Sequence, residues 1–153
     1  MSSQKDAGEA GSAATLADER AIERLIARYA DAVNRRDGEE WAALWTEDGV
    51  WKAFGHSFEG RDRVFATWSG AMQGFRFVFH VIHSGVIDVR GDVAHGRWTV
   101  SEQLQSANGE PSLLLALYHD DYRREKDGWR FARRELEVRY QGPPDLSAAP
   151  AGS

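Results

Sequence analysis

The sequence predicts one α+β domain in which N-terminal helices pack on one face of a strongly curved antiparallel sheet. Segments with helical spacing come first, and four long segments rich in β-branched and aromatic residues follow, separated by turns. Helices followed by a run of strands are typical of α+β folds. Strands of this length twist, so we expect the sheet to curl. The 6 Trp, 7 Phe and 4 Tyr residues suit the lining of an apolar pocket and an aromatic core equally well.

The predicted domain covers residues 17–141 and lies between two segments of biased composition. Residues 1–16 combine Ser, Gly, Ala and charged residues, and residues 142–153 are rich in Pro, Ala and Gly. Such compositions offer little apolar surface to bury, so we expect both segments to be disordered tails.

Helices and two short strands occupy the first half of the predicted domain. Asp18 is a suitable N-cap for the first helix, whose apolar stripe includes Ile22, Leu25 and Tyr29. The predicted elements are a helix from about Asp18, a helix at 39–45, a break at 46–49, short strands at 50–53 and 57–60, and a helix at 61–72.

Four long strands are predicted in the second half. Turn residues separate them at 90–92, 108–109 and 126–128. The strands are predicted at 75–89, 93–105, 113–124 and 129–140.

Alternation along the second long strand places a carboxylate on its apolar face. Trp98, Val100, Glu102 and Leu104 share this face, and the intervening residues are polar. A carboxylate there has to be paired, hydrogen-bonded or neutral. A chemical role for Glu102 and a structural tie to Arg or Tyr on a neighbouring strand explain this position equally well.

The first long strand carries two histidines on opposite faces, and both faces are largely apolar. One face carries Arg76, Val78, His80, Ile82, Ser84 and Val86, and the other carries Phe75, Phe77, Phe79, Val81, His83 and Ile87. We expect one face to meet the pocket and helices, and the other to meet a second subunit or a neighbouring sheet. Contact with a second subunit predicts a homo-oligomer, a dimer or a trimer. A lone His on such a strand is most often a hydrogen-bonded core residue.

Charge and composition exclude several classes of function. A net charge of -5 argues against nucleic acid as a partner, because phosphate binding favours a basic surface. The chain has no cysteine, and its histidines lack the spacing of metal ligands, so we expect no metal. No apolar run approaches the length of about 20 residues that a membrane span needs, and no secretory signal opens the chain. We therefore expect no membrane partner and a cytoplasmic location.

Several segments resemble the SnoaL-like domains of the NTF2-like superfamily. They are AIERLIARYADAVNRRD at 21–37, Trp41, Leu44, EDGVW at 47–51, HVIHSGVIDVRGD at 80–92, Tyr118, Tyr122, Arg123 and GWRF at 128–131. The resemblance implies a cone, in which N-terminal helices close a strongly curved sheet around a pocket. This fold hosts both enzymes and binding proteins, so the function follows only from the site.

Within this superfamily the chain is similar in layout to scytalone dehydratase, hexachlorocyclohexane dehydrochlorinase and bile acid 7α-dehydratase. The resemblance implies a pocket histidine at His80 and a pocket tyrosine at Tyr29, and it implies no cofactor. The Asp that orients the family histidine is replaced by Asn34. A second polar group on the next strand falls at Glu102 or Gln103, and alternation favours Glu102.

The replacement at Asn34 leaves three possibilities open. An Asp raises the basicity of its histidine, whereas an Asn fixes the ring but adds no charge. Glu102 can supply the missing charge, Asp31 can reach the ring from one turn earlier, or the chain does not perform this chemistry.

The functional hypothesis is a cofactor-independent lyase, dehydratase-like, or an isomerase. His80, Asn34, Tyr29 and Glu102 would be catalytic, and the substrate would be small, apolar and cyclic, like a polyketide, terpenoid or steroid. A polyketide-cyclase-like enzyme and a non-catalytic binding dimer are the alternatives. The candidate substrate-binding residues are Trp51, Phe54, Trp68, Trp98, Tyr118 and Arg139, with Arg139 available for an anionic group although the arginines of the last strand mostly mark a solvated face.

Overall fold

The computed structural model describes residues 2–152, with side chains from residue 11 onward, as three helices and one six-stranded sheet. The strand order is β2-β1-β6-β5-β4-β3, and the sheet is curved without closing into a barrel. The predicted α+β class is confirmed. The elements are α1 (Ser2–Arg35), α2 (Gly38–Ala43), β1 (Trp45–Ala53), β2 (His56–Glu59), α3 (Arg61–Gln73), β3 (Phe75–Arg90), β4 (Val93–Ser106), β5 (Pro111–Glu125) and β6 (Gly128–Gly142).

Helix α1 begins at Ser2, so the predicted start near Asp18 is wrong. The Asp18 carboxylate accepts two hydrogen bonds of 2.8 Å from Arg124 instead of capping a helix. Alanine is the strongest helix former, and the alanine-rich segment before Asp18 continues the helix. Residues 11–17 are exposed. Whether the domain proper starts near residue 17 stays a prediction, and Met1 lies outside the described residues.

The C-terminal segment returns to β6 after Gly142. The Tyr140 hydroxyl donates to the Pro143 carbonyl over 2.6 Å, and the Ala151 amide donates to the Arg139 carbonyl over 2.9 Å. The predicted tail at 142–153 stays a prediction, with Ser153 outside the described residues. Among residues 2–152, no helix has the length and apolar character needed to cross a membrane.

The helices cover one face of the sheet with aromatic side chains. The Trp41 ring of α2 stacks on the Trp68 ring of α3 with centroids 4.5 Å apart. The apolar stripe of α1 is buried in the same core, as its helical spacing predicts.

Strand β1 begins earlier than the sequence indicates and pairs in an unexpected direction. Trp45 is not the end of α2 but the first residue of β1, where it lies opposite Phe131 in a parallel pairing with β6. The Phe131 amide donates to the Leu44 carbonyl over 2.8 Å, which ends the helix there. The sheet is therefore mixed and not fully antiparallel, because a connection of α3 and four strands, β2 to β5, separates β1 from β6.

A bulge in β3 reverses its faces in the second half of the strand. One extra residue separates Ile82 from Gly85 relative to the partner strand β4. Beyond the bulge, Ile87 packs against the core and Val86 is 60% exposed. The predicted grouping of Val86 with His80, and of Ile87 with the opposite face, is therefore wrong, because simple alternation cannot include a bulge.

The other end of β3 has a second register shift, between Phe75 and Phe77. It turns Phe75 toward the core and leaves Phe77 and Phe79 on the outer face, 48% and 47% exposed with their rings stacked. Association of two subunits through this face stays a prediction.

Gly→Ala substitutions at the bulge of β3 and inside α3 should have opposite effects on stability. A Cβ at Gly85 would collide with the Trp98 ring and lie 2.8 Å from the Arg97 carbonyl oxygen, so Gly85→Ala should lower the free energy of unfolding by about 1–3 kcal/mol or more. Gly70 lies inside α3 with no atom within 4 Å of a new Cβ, so Gly70→Ala should raise it by up to about 1 kcal/mol. Urea denaturation of both variants measures the difference, and equal effects would contradict the bulge geometry.

Candidate active site

A cavity of about 290 Å³ lies between the helices and the inner face of the sheet. Its walls are mostly apolar and aromatic, and polar side chains come from Tyr29, Glu102, Tyr118 and Gln141. None of the described residues that line it is a Lys or an Arg. The cavity is therefore suited to a small, apolar and uncharged molecule.

The register of β3 and β4 places His80 directly opposite Glu102. The His80 Nδ1 lies 2.6 Å from Glu102 Oε1, and the two side chains are 1% and 18% exposed. Side chains directly opposite on one sheet face are close enough to interact. Glu102 is therefore the charged group that contacts the imidazole.

Asp31 does not reach the imidazole. Its carboxylate accepts a 2.9 Å hydrogen bond from Arg35 on the outer side of α1 and is 59% exposed. The Asp31 carboxylate is therefore held by Arg35 on the exposed side of α1, so this possibility is excluded by the geometry.

Asn34 contacts the backbone of His80 and not its ring. The Asn34 Nδ2 donates to the His80 carbonyl over 2.9 Å, and the His80 amide donates to Asn34 Oδ1 over 2.7 Å. The expectation that Asn34 holds the imidazole is wrong. Its amide instead pairs with the donor and the acceptor of one residue of β3, which an Asp cannot match because it has no donor when ionised.

The imidazole of His80 is enclosed behind the cavity and does not line it. Its ring centroid lies 5.5 Å from that of Tyr29 and 6.0 Å from that of Tyr118. Its Nε2 is buried and has no hydrogen-bond partner among the described residues. The expectation of an imidazole that opens into the cavity is not met, because Glu102 and the two tyrosines occupy that wall.

The hydroxyl-bearing wall of the cavity consists of Tyr29 and Tyr118. Burial raises the pKa of Tyr29, and the Arg134 charge and hydrogen bonding with Tyr118 oppose this effect. Burial also raises the pKa of Tyr118 well above its usual range, and the neighbouring Tyr29 and Glu102 add to it. Both phenols therefore remain protonated hydrogen-bond donors at neutral pH.

A buried cation lies behind these tyrosines, where the sequence predicted a solvated face. The Arg134 guanidinium is fully buried, with its Cζ 3.7 Å from the Tyr118 ring centroid and 4.3 Å from that of Tyr29. Burial disfavours its charge, but the Asp120 carboxylate, at 2.7 Å from both Nε and Nη2, holds the pKa of Arg134 above its ordinary value. Asp120 also accepts from the Tyr122 hydroxyl over 2.6 Å.

Four of the six predicted substrate-binding residues line the cavity. They are Trp51, Phe54, Trp68 and Tyr118. Trp98 does not, because its Nε1 donates to the Tyr122 hydroxyl over 2.8 Å within the core. Arg139 does not either, since its side chain is 62% exposed beside Glu137.

Several residues of the site were not predicted from the sequence pattern. Phe75 lines the cavity only because of its register shift, and Met72 and Gln141 lie near the ends of their elements. Arg134 and Asp120 are paired across β5 and β6, and only the strand register could have revealed them.

The helices, the curved sheet and this cavity form an NTF2-like fold. A model of the SnoaL-like domain matches residues 14–135, and the chain belongs to this family. The resemblance noted in the sequence is thus confirmed.

Solved structures that are similar to this chain include a candidate dehydratase and a dehydrochlorinase. A candidate scytalone dehydratase from Novosphingobium aromaticivorans is 29% identical, with a TM-score of 0.82 over 93% of this chain and 98% of that chain. A hexachlorocyclohexane dehydrochlorinase, LinA type 2, is 21% identical with a TM-score of 0.79 over 91% of this chain and 97% of that one, which shows a shared fold. An uncharacterized protein of Mycobacterium tuberculosis is 27% identical over 128 residues, which are 80% of this chain and 86% of that protein.

The two hydrogen bonds between the Asn34 side chain and the His80 backbone predict that Asn34→Asp destabilises the fold and does not create a catalytic dyad. An ionised carboxylate would face the His80 carbonyl oxygen in place of the Nδ2 donor, which should cost about 1–3 kcal/mol in the free energy of unfolding. Urea denaturation at neutral pH measures the loss. A free energy of unfolding equal to that of the wild type would show that these two hydrogen bonds do not stabilise the fold.

The buried phenols predict a characteristic behaviour in alkali. Burial raises the pKa of Tyr29, Tyr118 and Tyr122 in the folded protein. Their contribution to stability is complete below a pH of about 10, the unfolded pKa of tyrosine, and is lost as the pH rises through the folded values. An ultraviolet titration should therefore show fewer phenolates than the 4 tyrosines of the chain until the protein unfolds. Ionisation of all of them in the folded state would contradict the assignment.

Proposed function

We propose that the protein is a cofactor-independent lyase or isomerase that acts on a small, neutral, cyclic substrate by proton transfer. The observation that carries this proposal is a carboxylate–imidazole pair at the wall of an apolar cavity. Glu102 lines the cavity, and its Oε1 lies 2.6 Å from Nδ1 of the buried His80. Such a pair can accept or return a proton away from bulk water.

The neighbouring tyrosines complete the chemistry. Tyr29 and Tyr118 line the same cavity, and their raised pKa values keep them as donors. A donor held in an apolar site stabilises negative charge that develops on a carbonyl oxygen or a leaving group. Proton removal by the pair and charge stabilisation by the hydroxyls suit elimination and isomerisation next to a polarised bond.

The lining of the cavity favours a neutral substrate of modest size. Its volume of about 290 Å³ is at the lower end of the range of about 300–1,000 Å³ that is typical of ligand pockets. The absence of Lys and Arg from its described lining leaves an anionic group without a partner, while Glu102 would repel it. The aromatic walls suit rings, as in polyketide-like, terpenoid or steroid-like compounds.

The descriptions of relatives support a lyase. A similar structure is named as a candidate scytalone dehydratase, and a second one, which shares the fold, is named as a dehydrochlorinase; both names denote elimination reactions. Ring closure of the polyketide-cyclase kind and ligand binding without turnover are the alternatives, and the following experiment separates them.

Turnover should depend on the pair that borders the cavity. We expect the wild type to eliminate water or chloride from at least one member of a panel of neutral cyclic compounds that includes scytalone and hexachlorocyclohexane. Glu102→Gln should lower kcat/KM by about 100-fold or more, within the range that general acid–base groups contribute. Product analysis by mass spectrometry follows the loss of mass, which ring closure without elimination would not show.

Glu137→Gln is the matched control. Glu137 forms a 2.8 Å pair with His119 on the exposed side of the sheet, so its removal should leave turnover unchanged. Binding of panel members without any turnover, with equal affinities in the wild type and Glu102→Gln, would favour a binding protein over an enzyme.

A further inference from the structure

The geometry points to Glu102 as the group that takes the proton from the substrate, with His80 as a positioning residue that does not contact the substrate. This assignment rests on the proposed function, since it divides the roles within the same pair. It also reverses the expectation from the family resemblance, in which the strand histidine is the base.

Access to the cavity favours Glu102 as the base. Glu102 lines the cavity and its side chain is 18% exposed, whereas His80 is 1% exposed and lies behind the wall formed by Tyr29 and Tyr118. A general base has to come within hydrogen-bond reach of the proton that it removes. Glu102 satisfies this condition without any movement of the site, and His80 does not.

The direction of the hydrogen bond between His80 and Glu102 also favours a carboxylate base. The His80 Nε2 is buried without a partner among the described residues, so a doubly protonated ring would bury a charged N–H that has no acceptor. A neutral ring with its proton on Nδ1 avoids this cost and donates to Glu102 Oε1. The negative charge then resides on Glu102, which can accept from His80 at Oε1 and take a proton at Oε2.

A carboxylate base also accounts for the amide at position 34. Asn34 binds the backbone amide and carbonyl of His80, at 2.7 and 2.9 Å, and thereby holds this residue opposite Glu102. A base that is itself a carboxylate needs no second acid on α1 to supply charge. Asn34, His80 and Glu102 form a chain of contacts in which only the last member reaches the cavity.

One carboxylate, that of Glu102, is sufficient both to remove the proton from the substrate and to return it. The C–H proton moves to Glu102, the C–H electron pair forms the new double bond, and the bond to the leaving group breaks with its pair. When the leaving group is hydroxyl, the proton held by Glu102 passes to it, so that water departs and the carboxylate is restored. For isomerisation the same proton returns to a different carbon.

The test uses 5-nitrobenzisoxazole, a neutral two-ring probe whose isoxazole ring opens at the N–O bond when a base removes the C–H proton of that ring. The wild type should open the probe faster than acetate at the same concentration of carboxylate, and Glu102→Gln should lower the rate by about 100-fold or more. His80→Gln keeps a donor to Glu102 and should stay within about tenfold of the wild type, whereas a histidine base would lose as much as Glu102→Gln.

His80→Leu separates positioning from simple packing. It removes the donor to Glu102, so the midpoint of the rate–pH profile should move to higher pH, and His80→Gln should restore it. His119→Gln and Glu137→Gln, which alter the matching pair on the exposed side of the sheet, should change neither rate nor midpoint. Circular dichroism and urea denaturation identify any variant that fails to fold. The rates of folded His80→Gln and folded Glu102→Gln then show whether the base is the carboxylate or the imidazole.

The outcomes distinguish this assignment from the proposed function. A probe reaction that depends on Glu102, together with no turnover of any panel compound, leaves the assignment intact and overturns the enzyme proposal. A rate no greater than that of acetate, or an equal loss in His80→Gln and Glu102→Gln, overturns the assignment even if a panel compound is turned over.

Discussion

The hydrogen bond between His80 and Glu102 is the interaction on which the site depends. It exists because the register of β3 and β4 places the two residues directly opposite each other, on the sheet face that the helices cover. Asn34 connects that register to α1 through two hydrogen bonds to the His80 backbone. A helix, two strands and the cavity wall are thereby coupled through three polar side chains, in surroundings where an unpaired polar group is costly.

A second buried pair supports the same wall from behind. Arg134 and Asp120 pair across β5 and β6, and the guanidinium lies against the rings of Tyr29 and Tyr118. The cation therefore lies outside the cavity but close to its donors, and Glu102 is the charged residue among those described in the cavity lining. This arrangement combines a neutral, apolar binding space with strong local fields at one wall.

Alternation and helical spacing sufficed for much of this picture. They predicted the helices, the four long strands and Glu102 on an apolar face, because these features depend on local periodicity. They failed at the two irregularities of β3, which exchanged the faces of Phe75, Val86 and Ile87. A bulge is one residue long and leaves no periodic signal, and Gly85 within it is a single glycine among 15.

By itself, the sequence determined the α+β class, the order of the elements and several of the residues that line the cavity, among them Tyr29, Glu102 and Tyr118. Only the tertiary structure decided which polar residues lie in the cavity, in the core and at the surface. Asn34 binds the backbone of His80, and the His80 ring lies behind the cavity wall. Arg134 is buried in the core, whereas Arg139 is exposed to solvent. The physical reason is that propensity and periodicity act within one segment. The contacts of a buried polar group depend on the register between segments that are far apart in the chain.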